Sequence, residues 1–166
     1  MRGFTGETLM TAAPLASPKG FSHLAIRVTD LARSVEFYSR VLGFDVFDDL
    51  RDDPRLPRVF GTIAGTAVEL VKTNSSERAG AADGADRPPG LAAFAFAVED
   101  MDAIFASLKA QGLVTGDGPQ EMGRARLVWV TDPDGTMFEL IELPRKAASM
   151  AELAPRFKAR RAAAGG

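Results

Sequence analysis

The hydrophobic positions change period in a fixed order along the chain. Leu24, Ile26 and Val28 alternate with His23, Ala25 and Arg27, the period of two that predicts a strand over 21–28 with one buried face. The period then lengthens: Leu31, Val35, Tyr38 and Leu42 fall on one face of a helix that Asp30 caps and Gly43 ends. Strands follow at 45–50, 59–63 and 66–72, with a polar, proline-bearing loop running to Pro57 and a turn at Gly65. The second half repeats the order. It predicts a strand over 91–98, a helix from Asp100 or Met101 to Gln111 closed by Gly112, and a short strand near Leu113. A strand over 124–131, an Asp132-Pro133-Asp134-Gly135 turn and a last strand over 136–142 complete it.

The two halves are copies. His23-Leu24-Ala25-Ile26-Arg27-Val28-Thr29-Asp30 matches Ala93-Phe94-Ala95-Phe96-Ala97-Val98-Glu99-Asp100, and Val68-Glu69-Leu70 matches Phe138-Glu139-Leu140, so 93 − 23, 100 − 30 and 139 − 69 all equal 70. Each copy reads βαβββ, and the expected organisation is an extension over 1–19, a first module over 20–72, a linker over 73–89, a second module over 90–144 and a basic tail over 145–166. The repeat places the single histidine and two carboxylates at equivalent strand positions, with Ala93 where a second histidine would stand.

Composition narrows the function. With 166 residues, 46% hydrophobic and 25% charged, the chain has enough apolar material for a core, and a net charge of −2 gives no dense basic face for nucleic acid. There is no cysteine, which excludes disulfides and thiolate metal sites. No apolar run reaches the roughly 20 residues of a membrane span, and Glu7, Pro14 and Pro18 interrupt the N-terminal stretch, so a cytoplasmic protein is expected. The N-terminal stretch reads as a flexible extension with Met10 as a second candidate start. The tail predicts a short helix around 150–153, with its charges solvated.

The run from His23 to Phe44, with Leu24, Asp30, Leu31, Ser34, Phe37, Tyr38, Val41, Leu42 and Gly43 in register, together with Asp132-Pro133-Asp134-Gly135 and Glu139-Leu140, resembles the vicinal oxygen chelate superfamily. That group includes glyoxalase I, methylmalonyl-CoA epimerase, extradiol dioxygenases, fosfomycin-resistance thiol transferases and bleomycin-resistance proteins. The resemblance covers 21–143 and implies an α+β fold of paired βαβββ modules forming an incompletely closed eight-stranded cup around a divalent metal. On the glyoxalase pattern the ligand positions are His23, Glu69, Ala93 and Glu139. Three of these suit Zn, Ni, Co, Mn or Fe, whereas Ala93 cannot ligate and departs from the pattern.

Alternation then says what shares the cup with these residues. With His23 inward, Ala25 and Arg27 face inward too, as do Ala93, Ala95 and Ala97, leaving a roomy wall on the second-module side. Arg27 is placed to hold a carboxylate or enolate oxygen of substrate. Phe94, Phe96 and Phe138 have the opposite parity and belong to the helix-facing core.

The expected function is a glyoxalase-like, metal-dependent isomerase, epimerase or lyase that stabilises an enediolate of a small oxygenated substrate. His23, Glu69 and Glu139 hold the ion, and Glu139 first, Glu69 second, serves as base. The alternatives are a metal-free binding or resistance protein with a degenerate site and, more weakly, a dioxygenase. A homodimer is expected, with a linker long enough for modules to exchange between chains.

Overall fold

The structure is a computed structural model that describes residues 18–75 and 91–164. Strand β1 (His23–Val28) leads through helix α1 (Leu31–Leu42) to the antiparallel run β2 (Asp45–Leu50), β3 (Arg58–Ile63) and β4 (Thr66–Lys72), and β4 returns parallel to β1. The second copy uses β5 (Phe94–Ala97), helix α2 (Met101–Ala110), β6 (Gln120–Met122), β7 (Ala125–Thr131) and β8 (Met137–Glu142). The sheet orders β1-β4-β3-β2 and β5-β8-β7-β6 are the same order twice, in two mixed sheets that do not close on each other. This is the α+β pairing of βαβββ modules that the repeat predicts.

Local signals set the helix ends. Asp30 accepts a hydrogen bond from the Arg33 amide at 3.0 Å, and Gly43, at φ 67°, donates to the Ser39 carbonyl at 3.0 Å. Only glycine takes that left-handed turn without a Cβ penalty. Strand alternation sets the core. Ile26, Val28, Val59, Ile63, Val68, Leu70, Val128, Val130, Phe138 and Leu140 point to the helices and form one cluster with Phe37, Tyr38, Met101 and Phe105. Both modules therefore share a core, and Phe94, Phe96 and Phe138 belong to it as expected.

A polar latch crosses the same junction. Tyr38 donates to Asp132 Oδ2 at 2.8 Å, while Asp132 Oδ1 accepts from the amides of Asp134 and Thr136 at 2.9 and 2.7 Å. Asp134 in turn accepts from the Thr29 amide and hydroxyl and from Arg33 at 2.7 Å. Burial pushes the Tyr38 phenol up, and the facing Asp132 carboxylate pushes it the same way. Burial also raises Asp134, but the bonds from Thr29 and the Arg33 charge outweigh it and hold the carboxyl below its usual range.

Three sequence expectations need correction. The second module has no strand near Leu113; its edge strand β6 lies at Gln120–Met122, three exposed residues with no apolar alternation to betray them. Strand β5 begins at Phe94, the first residue paired with β8, so Ala93 stands just ahead of it. The tail is more than a short solvated helix: after a 3-10 turn over Pro144–Lys146, helix α3 runs Met150–Ala164 and buries Leu153. Most of the expected extension and linker, residues 1–17 and 76–89, lies outside the described residues.

Candidate functional site

The face of the first sheet turned away from its helix carries the chemistry. His23, Ala25 and Arg27 alternate with the buried residues of β1, and the β1–β4 register sets Ala25 beside Glu69, one pleat from His23. His23 Nε2 lies 3.7 Å from Glu69 Oε2, with the imidazole 43% and the carboxylate 12% exposed. Ser22 Oγ sits 3.2 Å from His23 Nδ1. An imidazole offering its Nε2 lone pair carries its proton on Nδ1, where this hydroxyl accepts it and fixes the ring.

Two neighbours were missed in the sequence. Arg58 Nε approaches Glu69 Oε1 at 3.6 Å, while its Nη1 reaches Asp53 Oδ2 at 3.1 Å. Phe60, opposite Glu69 in the β3–β4 register, stands edge-on to the His23 ring at 6.1 Å and stacks on Phe47 at 6.0 Å. Both follow from the parity of β3, whose core residues are Val59, Gly61 and Ile63. Beginning that strand one residue late hid Arg58.

Glu139 occupies the repeat-equivalent place on the other sheet, paired in register with Ala95 and Trp129. Among the described residues, no group of three or more His, Asp or Glu side chains is placed to hold a metal ion within one chain, so Glu139 does not complete a site with the His23–Glu69 pair there. Arg27, at the far end of β1, lines a cavity of about 380 Å³ with Ala25, Thr29 and Thr136. Ala95 and Ala97 line another of about 480 Å³ with Thr66, Leu91 and Ala148.

The second-module wall is less open than its alanines suggest. Ala125, Leu127, Ile141, Leu143 and Leu153 form a second apolar cluster, with Ala97, Trp129 and Ala147 packed against it. Helix α3 and the turn before it thus cover the Ala97 end of the open face, and only Ala95 of the strand remains fully exposed.

The His23–Glu69 pair fits a divalent ion. Metal–donor bonds of about 2.0–2.2 Å put neighbouring donors roughly 3 Å apart, so a slight closing of the 3.7 Å gap lets both bind one centre. An imidazole and a carboxylate suit the borderline divalent metals. Two donors alone do not complete a site.

The comparisons agree with this architecture. A probable lactoylglutathione lyase of Vibrio cholerae is 32% identical over 131 residues, covering 72% of this chain and 88% of that protein. A lactoylglutathione lyase of Arabidopsis thaliana is 27% identical over 133 residues, and the match spans 78% of this chain but only 46% of the plant protein. Among solved structures, a variant of the fosfomycin resistance protein FosX of Listeria monocytogenes, with Mn(II) and 1S,2S-dihydroxypropylphosphonic acid bound, superposes with a TM-score of 0.60 at 20% identity. That match covers 78% of this chain and 97% of the other. The family model of the Glyoxalase/Bleomycin resistance protein/Dioxygenase superfamily matches residues 20–140, and the chain belongs to that superfamily.

Proposed function

We propose that the chain is a glyoxalase-type, metal-dependent isomerase, epimerase or lyase whose site is completed between two copies. The observation that carries this is the separation of the donors. His23 and Glu69 are paired on the open face of one sheet, and Glu139 holds the equivalent place on the other. In a two-fold dimer the first sheet of one chain can face the second sheet of its partner, bringing His23 and Glu69 against a second copy's Glu139. The Mn(II) in the FosX variant and the lactoylglutathione lyase activity in the relatives' names support the class of reaction.

A divalent ion held by these residues would supply Lewis-acid polarisation of the substrate. The chain's own groups do the rest. Arg58 holds Glu69 Oε1 and leaves Oε2 turned to His23; Ser22 fixes the imidazole; Phe60, stacked on Phe47, packs edge-on to that ring. Glu139 takes the proton from the carbon next to the substrate carbonyl, within reach of Ala95, whose small side chain leaves room for it. Arg27 orients an anionic group at the rim.

The test is subunit complementation. His23→Ala and Glu139→Gln are each expected to abolish formation of lactoylglutathione or of another isomerised product. Mixing them in equal amounts through a reversible denaturation step should restore about a quarter of wild-type activity, because half of the dimers then carry one intact site of two. A wild type that binds no divalent ion and shows no activity would replace this reading with that of a metal-free binding protein. The specific observation on that side is the Arg58 guanidinium, which already neutralises Glu69.

A further inference from the structure

Helix α3 carries four residues at i, i+3, i+4 and i+7 on one face: Leu153, Arg156, Phe157 and Arg160. Leu153 is buried and anchors the helix to β7 and β8. The other three turn with it toward Arg124, which precedes β7, and toward Pro144 and Arg145, which follow β8. Together these residues line a cavity of about 300 Å³.

The charge in that cavity is unbalanced. Arg124, Arg145, Arg156 and Arg160 all border it, and among the described residues none of the four is in an ion pair, whereas Arg33, Arg51, Arg58 and Arg126 each hold a carboxylate. A volume of this size is about 8 Å across, no larger than the screening length of physiological salt, so salt alone does not screen the four exposed guanidinium groups from one another. This happens in a chain whose net charge is −2. Arg145 also holds a left-handed backbone at φ 64°, a conformation costly for a residue with a Cβ. The floor is apolar, made by Pro144, Leu153 and the half-exposed ring of Phe157.

We propose that this cavity binds a small organic polyanion, a phosphomonoester or polycarboxylate, with its anionic group held by the arginine cluster and its apolar part on Phe157 and Pro144. Planar guanidinium forks match phosphoryl and carboxylate oxygens in bidentate geometry, and their mutual repulsion is relieved when two or more negative charges enter. The site stands apart from the His23–Glu69 pair, on the opposite module. Its floor residue Leu153 also belongs to the cluster that packs Trp129, the only tryptophan of the chain. Occupancy is therefore reported by Trp129 fluorescence.

The experiment titrates phenyl phosphate into the full chain in the presence of a chelator, which removes any metal-held phosphate from the signal, and follows heat and Trp129 emission together. Saturable one-to-one binding is expected, with a concentration-dependent rise in Tm. The double variant Arg156→Ala/Arg160→Ala, both exposed positions, should weaken binding at least tenfold, and Arg51→Ala, in an unrelated surface pair, should leave it unchanged. Phe157→Ala should weaken phenyl phosphate but not inorganic phosphate, and citrate in place of phenyl phosphate distinguishes the carboxylate from the phosphoryl source. No saturation by roughly 10 mM of either probe, or equal binding by wild type and the double variant, overturns the proposal. So does binding of anionic vesicles or duplex DNA without binding of the small anions.

Discussion

Replacing Tyr38 by phenylalanine removes one oxygen atom from the junction between the modules and leaves everything apolar in place. The ring keeps its edge contact with Phe37 at 5.3 Å and its contact with Phe138 at 6.2 Å, so no cavity larger than a hydroxyl appears. What is lost is the 2.8 Å hydrogen bond to Asp132 Oδ2. Asp132 Oδ1 keeps both backbone donors, but the residue is 3% exposed, and water does not easily replace the missing phenol. A hydrogen bond to a charged acceptor contributes about 1.5–3 kcal/mol, and the buried oxygen left without a donor places the cost at about 2 kcal/mol. For a chain of this length, that corresponds to a fall in Tm of about 4–8 °C. Urea unfolding monitored by Trp129 emission measures it directly, and the m-value should stay constant because the surface exposed on unfolding is the same. A loss below about 0.5 kcal/mol would show that the latch contributes nothing beyond ring packing.

Asp134 makes stability pH-dependent in a definite direction. Its folded-state pKa is depressed, so its stabilisation is present above the ordinary carboxylate range near pH 4 and is lost as pH falls through the depressed value; Asp134→Asn should flatten that acid limb in a series of melts from pH 7 to 3. Gly61→Ala should cost about 1–3 kcal/mol in denaturant titration, because a Cβ there would overlap the Phe44 ring and lie 2.6 Å from the Asp45 carbonyl oxygen; an unchanged midpoint would contradict the close approach. Ala93→His should tighten divalent metal binding measured by calorimetry while lowering activity, since the imidazole fills a position open to water or substrate; no binding by either protein would remove the metal from the reading.

Most of the fold was legible because it rests on local period and local caps. Leu24, Ile26 and Val28 announced the buried face of β1, and Asp30 and Gly43 the ends of α1, without reference to any other part of the chain. That His23 and Glu69 belong together was an expectation of the family resemblance, and the β1–β4 register is what brings the two side chains within reach of each other. What escaped depends on contacts that sequence spacing does not encode. Phe60 reaches His23 only through the β3–β4 register, Tyr38 and Asp132 meet across 94 positions, and β6 has no buried residue to give it a period. Leu153 looked like one apolar residue in a charged tail; only the open wall of the second sheet gives it a place to be buried.

That wall has a consequence for how a duplicated unit divides its work. Every strand pairing lies within one sheet, so neither sheet depends for its hydrogen bonds on what stands on the outward face of the other. The first outward face keeps an imidazole, a carboxylate and two guanidinium groups. The second has turned most of its own into a small apolar core with the tail folded onto it. The first face thus presents the donor pair and the second presents Glu139 beside the docked tail, and exchanging the chemistry of either face requires no change in the scaffold that presents it.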